Sequence, residues 1–134
     1  MRDDKLYSVR TIDRTIWRLQ LRRDELQSCL LPGAVRYDAD RVQSSPQDRF
    51  ADVAAEVADL DCTIRELMRA KAEAIMDLSH KIEALDDERE KVILTAYYIS
   101  SKPMPEIAER IGYSLPHTYR LRRSGATKLD NNDN

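Results

Sequence analysis

Apolar residues recur along this chain at helical spacing. Val9, Ile12, Ile16, Leu19, Leu26 and Leu30 alternate at intervals of three and four, broken at Arg23. That narrow seam is the mark of a coiled coil rather than of a broad globular face, and it predicts a first helix over residues 4–30. Leu31-Pro32-Gly33 stops it, because Pro and Gly together do not continue a helix. Residues 34–47 are polar, contain Ser44-Ser45-Pro46 and offer only Val35, Tyr37 and Val42 for burial, which predicts a loop. At roughly fourteen to seventeen residues it is long for a connection, as functional or mobile segments often are. Beyond Pro46, Phe50, Val53, Val57, Leu60, Ile64 and Leu67 repeat the alternation, and Leu78, Ile82 and Leu85 extend it past a weaker patch at Lys71 and Ala74. Folded back antiparallel, the two helices set Leu30 against Phe50, Leu19 against Leu60 and Val9 against Lys71. At 1.5 Å per residue the second helix would run about 58 Å and the first about 40 Å, so residues 75–85 overhang. An unpartnered apolar stripe needs cover, from the C-terminal module or from a second chain.

The C-terminal third has a different pattern. Asp86-Asp87 suits a break and an N-cap, and a helix over 88–100 would turn Val92, Ile93, Ala96, Tyr97 and Ile99 inward. Ser101-Lys102-Pro103 then turns the chain into residues 105–123, PEIAERIGYSLPHTYRLRR. Ile107 and Ile111 share one helix face, and the small Ala108 lets another helix cross closely above it. Gly112 can end that helix in the left-handed conformation. Ser114 can cap the next one, and Pro116 falls in its first turn, where a missing N–H costs nothing. Thr118 and Leu121 face the first helix, with Gly125 a candidate for the same side. Leu115, Pro116, His117, Tyr119, Arg120 and Arg123 then point outward, as a recognition helix presents itself to a major groove. An ordinary helical hairpin with a glycine turn is the plainer alternative. The joint Ala108, Gly112 and Thr118 spacing argues against it, as do Arg120, Arg122, Arg123 and Lys128 with no acid among them. After Leu129, residues 130–134 (DNNDN) are expected to be a disordered tail.

Composition agrees with an all-α chain. Over 134 residues the charged fraction is 34% and the aromatic fraction 6%, which favours solvent-laced helices over one large core. A net charge of -2 is unusual for a nucleic-acid binder, but the acids crowd the first ninety residues and the last five, leaving the second helix of the motif basic. No apolar run approaches the ~18 residues of a membrane span, and MRDDK does not open a signal peptide, so a cytoplasmic chain with no membrane partner is expected. Cys29 and Cys62 form no CxxC, have no histidine at ligand spacing and lie roughly 17 Å apart in the folded-back register. Both read as reduced filler, and His80 as a solvated or partly packed residue. No phosphate loop or nucleophile motif is present, so neither an enzyme nor a cofactor is expected.

From residue 86 to 129 the chain resembles region 4 of sigma-70-type factors: a helix of EREKVILTAYYI type, then EIAERIGYS, then an HTYRL recognition helix. As a whole, with two long helices joined by LPGAVRYDADRVQSSPQDRF, it is similar to small phage and prophage proteins of the ArpU-type and RinA-type late transcription regulators. The resemblance implies phosphate contacts at His117 and Tyr119 and a polar base contact at Arg120. Leu115 and Pro116 depart from it, standing where sigma region 4 usually carries an Arg and an acid that read promoter bases, so a standard -35 element is not the expected target. Pro103 replaces the usual Ser or Thr cap. Gly125-Ala126 replaces an Ala-Leu pair, which implies about 2 kcal/mol less burial and a looser last helix. No region 2 is present to open a promoter.

These readings combine into one expectation: an antiparallel, coiled-coil-like arm over 1–85 and a helix-turn-helix module over 86–129. The module would bind double-stranded DNA through Ser114, Leu115, Pro116, His117, Tyr119, Arg120 and Arg123, making the chain a sequence-specific transcription regulator of phage type. Self-association would produce a homodimer through Ile75, Leu78, Ile82 and Leu85. The alternatives are a small terminase subunit, which also joins such a module to an oligomerising coiled coil, and a protein-interaction adaptor whose Leu115-Pro116 tip docks on RNA polymerase.

Overall fold

The computed structural model describes residues 5–31 and 46–133. Every regular element among them is helical: α1 (Ser8–Ser28), α2 (Pro46–Glu83), α3 (Glu88–Leu94), α4 (Met104–Ile111) and α5 (Leu115–Asn132), with a π-helical turn, Thr95–Ile99, continuing α3. The fold is all-α. No helix among the described residues is long and apolar enough to cross a membrane. The Pro32-Gly33 stop and nearly all of the expected 34–47 loop, Tyr37 included, lie outside the described residues. Pro46 is the first residue of α2 instead of standing just before it, in keeping with the preference of proline for the opening turn. α1 begins later than expected: Lys5–Tyr7 form a turn, and the Ser8 hydroxyl donates to the Lys5 carbonyl at 2.8 Å.

The chain divides into two compact units, Arg14–Arg69 and the residues up to Asp13 together with those from Ala70 onward. In Arg14–Arg69 the seam residues Ile16, Leu19, Val57, Leu60 and Ile64 are buried. Arg23, where the apolar rhythm breaks, keeps its place by reaching across: its Nη1 donates to Asp61 at 3.1 Å, and its Nη2 to Asp24 at 3.2 Å. An ion pair between Arg22 and Glu56 also joins α1 to α2. Both pairings lie within about one helical turn of the register that sets Leu19 against Leu60. Cys29 and Cys62 are free and exposed, so neither fills a core.

In the other unit, packing crosses residue 85. Leu78, Ile82 and Leu85 are buried in a single cluster with Leu6, Leu94, Tyr98 and Leu129, while Ile75 is half-buried. The stripe expected to overhang, and to be the dimer interface, is thus covered from within the chain. Two features account for this. α5 does not fray at residue 130 but runs to Asn132, delivering Leu129 to the cluster, and Asp133 accepts from Lys81 Nζ at 3.0 Å. That bond holds the Asp133 carboxyl below the usual carboxylate range. Residues before α1, Leu6 above all, supply the remaining cover.

A helix break follows Glu83 as expected, and Asp87 caps α3 by accepting the Arg89 backbone N–H at 2.9 Å. Arg89 also brings its guanidinium to Asp87, and this hydrogen bonding lowers the carboxyl's pKa. Val92, expected inward, is 44% exposed. The buried side of α3 is set by Glu90, Ile93 and Leu94, and Val92 lies outside that stripe. Ser101 ends the π-helical stretch in left-handed backbone (φ 57°), and its hydroxyl donates to Asp13 at 2.7 Å. Lys71 pairs with the same carboxylate at 2.5 Å.

Candidate nucleic-acid interface

The α4–α5 pair is built by local rules. Pro103 precedes α4 in extended backbone (φ -71°, ψ 147°) and makes no side-chain cap, so the first turn relies on acidic Glu106. Gly112 closes α4 at φ 76°, the left-handed conformation that glycine adopts without a Cβ penalty, and its N–H reaches the Ala108 carbonyl at 3.0 Å. After the turn, Ser114 caps α5 by accepting the His117 N–H at 3.3 Å. The buried Thr118 sends its hydroxyl to the Ser114 carbonyl at 2.8 Å. Ile93, Met104, Ile107 and Leu121 form the small core that holds α4 and α5 to α3, flanked by Ile111 and Tyr119.

Further along, α5 lies close against α3. A Cβ placed on Gly125 would stand 2.8 Å from Leu94 Cδ1, so glycine is what permits this approach. Gly125 thus sets how closely α5 approaches α3, and Ala126 packs partly buried against the cluster of Leu6, Leu94 and Leu129. Beside it sits a buried carboxylate: Glu90 accepts from Ser124 Oγ at 2.9 Å and from Lys128 Nζ at 2.9 and 3.0 Å. Burying a charge is costly unless it is paired and hydrogen-bonded. Lys128 and Ser124 meet that requirement, which assigns Lys128 to the fold rather than to a ligand.

Arg122 is likewise engaged. Its guanidinium stacks on Tyr97 at 4.4 Å and on Tyr119 at 5.2 Å. Arg10 stacks on Tyr97 as well, at 4.1 Å, and donates to the Tyr97 and Lys102 carbonyls at 2.8 and 3.3 Å. The Tyr97 carbonyl lies in the last turn of the π-helical stretch, where helix-end acceptors lack partners of their own, and Lys102 follows just beyond it. Tyr97 also joins an edge-to-face group with Tyr7 and Tyr98. Burial pushes the Tyr98 hydroxyl well above its usual pKa.

The residues expected to point outward do so to differing degrees. Leu115, Pro116, Arg120 and Arg123 are exposed, while His117 and Tyr119 are half-buried. His117 packs edge-on to Tyr113 at 5.1 Å. Leu115, Pro116, Tyr119, Arg120 and Arg123 line one shallow depression. The guanidinium groups of Arg120 and Arg123 have no ion-pair or hydrogen-bond partner among the described residues, and only the Arg123 backbone carbonyl is used, accepting from the Thr127 hydroxyl at 2.9 Å. Of the four cations counted on this helix from sequence, two are thus free and two are taken by structural contacts. Arg110, in the last turn of α4, is a further exposed cation, without an ion-pair partner among the described residues, that sequence reasoning passed over. Its signal was a lone basic residue next to the glycine turn. A larger cavity of about 490 Å³ in the same unit lies away from this face, between Leu6, Leu78 and Leu129 and the Lys81–Asp133 pair. No family model, curated protein or solved structure matches the chain.

Proposed function

We propose that this chain binds double-stranded DNA by laying the outer face of α5 into the major groove, and acts as a transcription regulator of phage type in the cytoplasm. One observation carries the reading. Pro116, Arg120, Arg123 and Thr127 follow at four, three and four residues, so they form one outward stripe that holds two unpaired arginines and no acid. In a chain of net charge -2 this is a local positive surface on a capped helix N-terminal half, the electrostatic footprint that phosphates attract. Arg120, about one turn past the helix start, is placed to reach a base edge, where a bidentate contact to guanine is worth about 1–3 kcal/mol of discrimination. Arg123, three residues on, reaches phosphate. Leu115 and Pro116 bring no donors, so the preference beside them is for a thymine methyl. His117 and Tyr119 flank the stripe as phosphate contacts, and the Ser114 hydroxyl, already accepting from His117, keeps its proton to donate.

Selection from random duplex DNA tests this directly. A bound consensus is expected, with Arg120→Ala weakening binding and relaxing preference at one base pair. Arg123→Ala should weaken every sequence similarly and reduce the salt slope by about one unit. If both variants bind as well as the parent at moderate salt, the reading fails. Retention of RNA polymerase by the chain, with no selected DNA, would favour the adaptor instead.

A further inference from the structure

Within Arg14–Arg69, packing and ion pairs among the described residues use one side of α1 and leave the other exposed. Arg14, Trp17, Leu21 and Asp24 follow at three, four and three residues, so they form a single stripe on the far side of the helix from buried Ile16 and Leu19. All four are exposed, Trp17 to 65% and Leu21 to 49%. Arg14 has no ion-pair or hydrogen-bond partner among the described residues. Asp24 receives Arg23 yet its side chain stays 62% exposed. Tryptophan is among the residues enriched as buried anchors of interfaces, and here the chain's single tryptophan stands in solvent beside a leucine.

We propose that this stripe docks a second copy of the chain, α1 against α1, antiparallel about a twofold axis level with Leu19. The order of the residues selects that occupant. Antiparallel pairing at this level lays Trp17 on the partner's Leu21 and sets Arg14 opposite the partner's Asp24, and the symmetry makes each contact twice. Parallel pairing would put Arg14 against Arg14 and Asp24 against Asp24, like charges at both ends of the apolar pair. The stripe is therefore complementary to itself in one direction only. This assembly differs from the one expected through Leu78, Ile82 and Leu85, which are buried, and it does not rest on the DNA reading.

A contact running from Arg14 to Asp24 is about 15 Å long. That is at the small end of specific interfaces, so a dissociation constant on the order of 10 µM is expected. Sedimentation velocity of the full chain across that range should show monomer passing to dimer, with Trp17 emission shifting to the blue over the same concentrations. Leu21→Lys should give monomers with a solvent-exposed emission at every concentration and unchanged far-ultraviolet circular dichroism. Arg14→Asp should weaken the dimer at least about tenfold, since it creates two like-charge pairs, and adding Asp24→Arg should restore it. A chain that stays monomeric, a dimer indifferent to Leu21→Lys, or a charge swap that fails to rescue would each overturn the proposal. So would blue emission at every concentration in a monomer, which would assign the stripe's cover to the same chain.

Discussion

Replacing Gly125 by alanine sets two opposed effects against each other. Alanine inside a helix is favoured over glycine by about 0.8–1 kcal/mol. Against this, the added Cβ would lie 2.8 Å from Leu94 Cδ1, 3.2 Å from Leu94 Cγ and 3.4 Å from Glu90 Cβ. Carbon atoms in good contact sit roughly 3.5–4.0 Å apart. Leu94 is fully enclosed and cannot swing aside, while Glu90 is held by Ser124 and Lys128. Either α5 backs away from α3 or Leu94 leaves its rotamer, and overpacking of this kind costs about 1–3 kcal/mol. The net expectation is a loss of about 1 kcal/mol, read by urea unfolding followed by circular dichroism. The sign should depend on the neighbour. With Leu94 first reduced to alanine, itself a loss of about 2–5 kcal/mol, the crowding is gone and Gly125→Ala should stabilise by about 1 kcal/mol. Should Leu94→Ala not fold, Leu94→Val offers a milder background. If Gly125→Ala stabilises the parent as much as the Leu94 variant, α5 does not rest on α3 as described.

Three other expectations follow from the same unit. Leu78→Lys with Ile82→Lys places two charges in an apolar cluster, so the cooperative thermal transition and near-ultraviolet signal should be lost, at a cost above about 4 kcal/mol; a folded, stable monomer would refute this placement. Lys128→Met leaves Glu90 buried with one hydroxyl donor and should cost about 3–5 kcal/mol, most of it regained by adding Glu90→Gln, as a double-mutant cycle would show. The pH dependence has two arms. Tyr98 is held above its usual value by burial, so its contribution is complete below the unfolded value of about 10 and is lost as pH rises beyond it; Tyr98→Phe should flatten alkaline unfolding. Asp87 is held below its usual value by Arg89, so its contribution is present above about pH 4 and is lost on acidification through the lower folded value; Asp87→Ala should remove that part of the acid transition.

What the sequence determined by itself are the features whose physics is local. The glycine at the end of α4, the serine cap of α5, the proline in its first turn and the inward Thr118 and Leu121 depend on backbone geometry and helical period within a few residues, and they stand as read, whereas Gly125 is inward but faces Leu94 of α3 rather than α4. The same holds for the buried seam of Ile16, Leu19, Leu60 and Ile64. Tertiary structure decided the rest, because those properties depend on which distant groups come together. Ile82 is 1% exposed because Leu6, the stretch that carries Leu94 and Tyr98, and Leu129 come from three other places in the chain to cover it. Lys128 and Arg123 are alike in sequence terms, yet only Lys128 meets a buried carboxylate, and so only Arg123 remains free for a ligand. Periodicity shows that a residue has an apolar or a basic side; it carries no information about what arrives to face it.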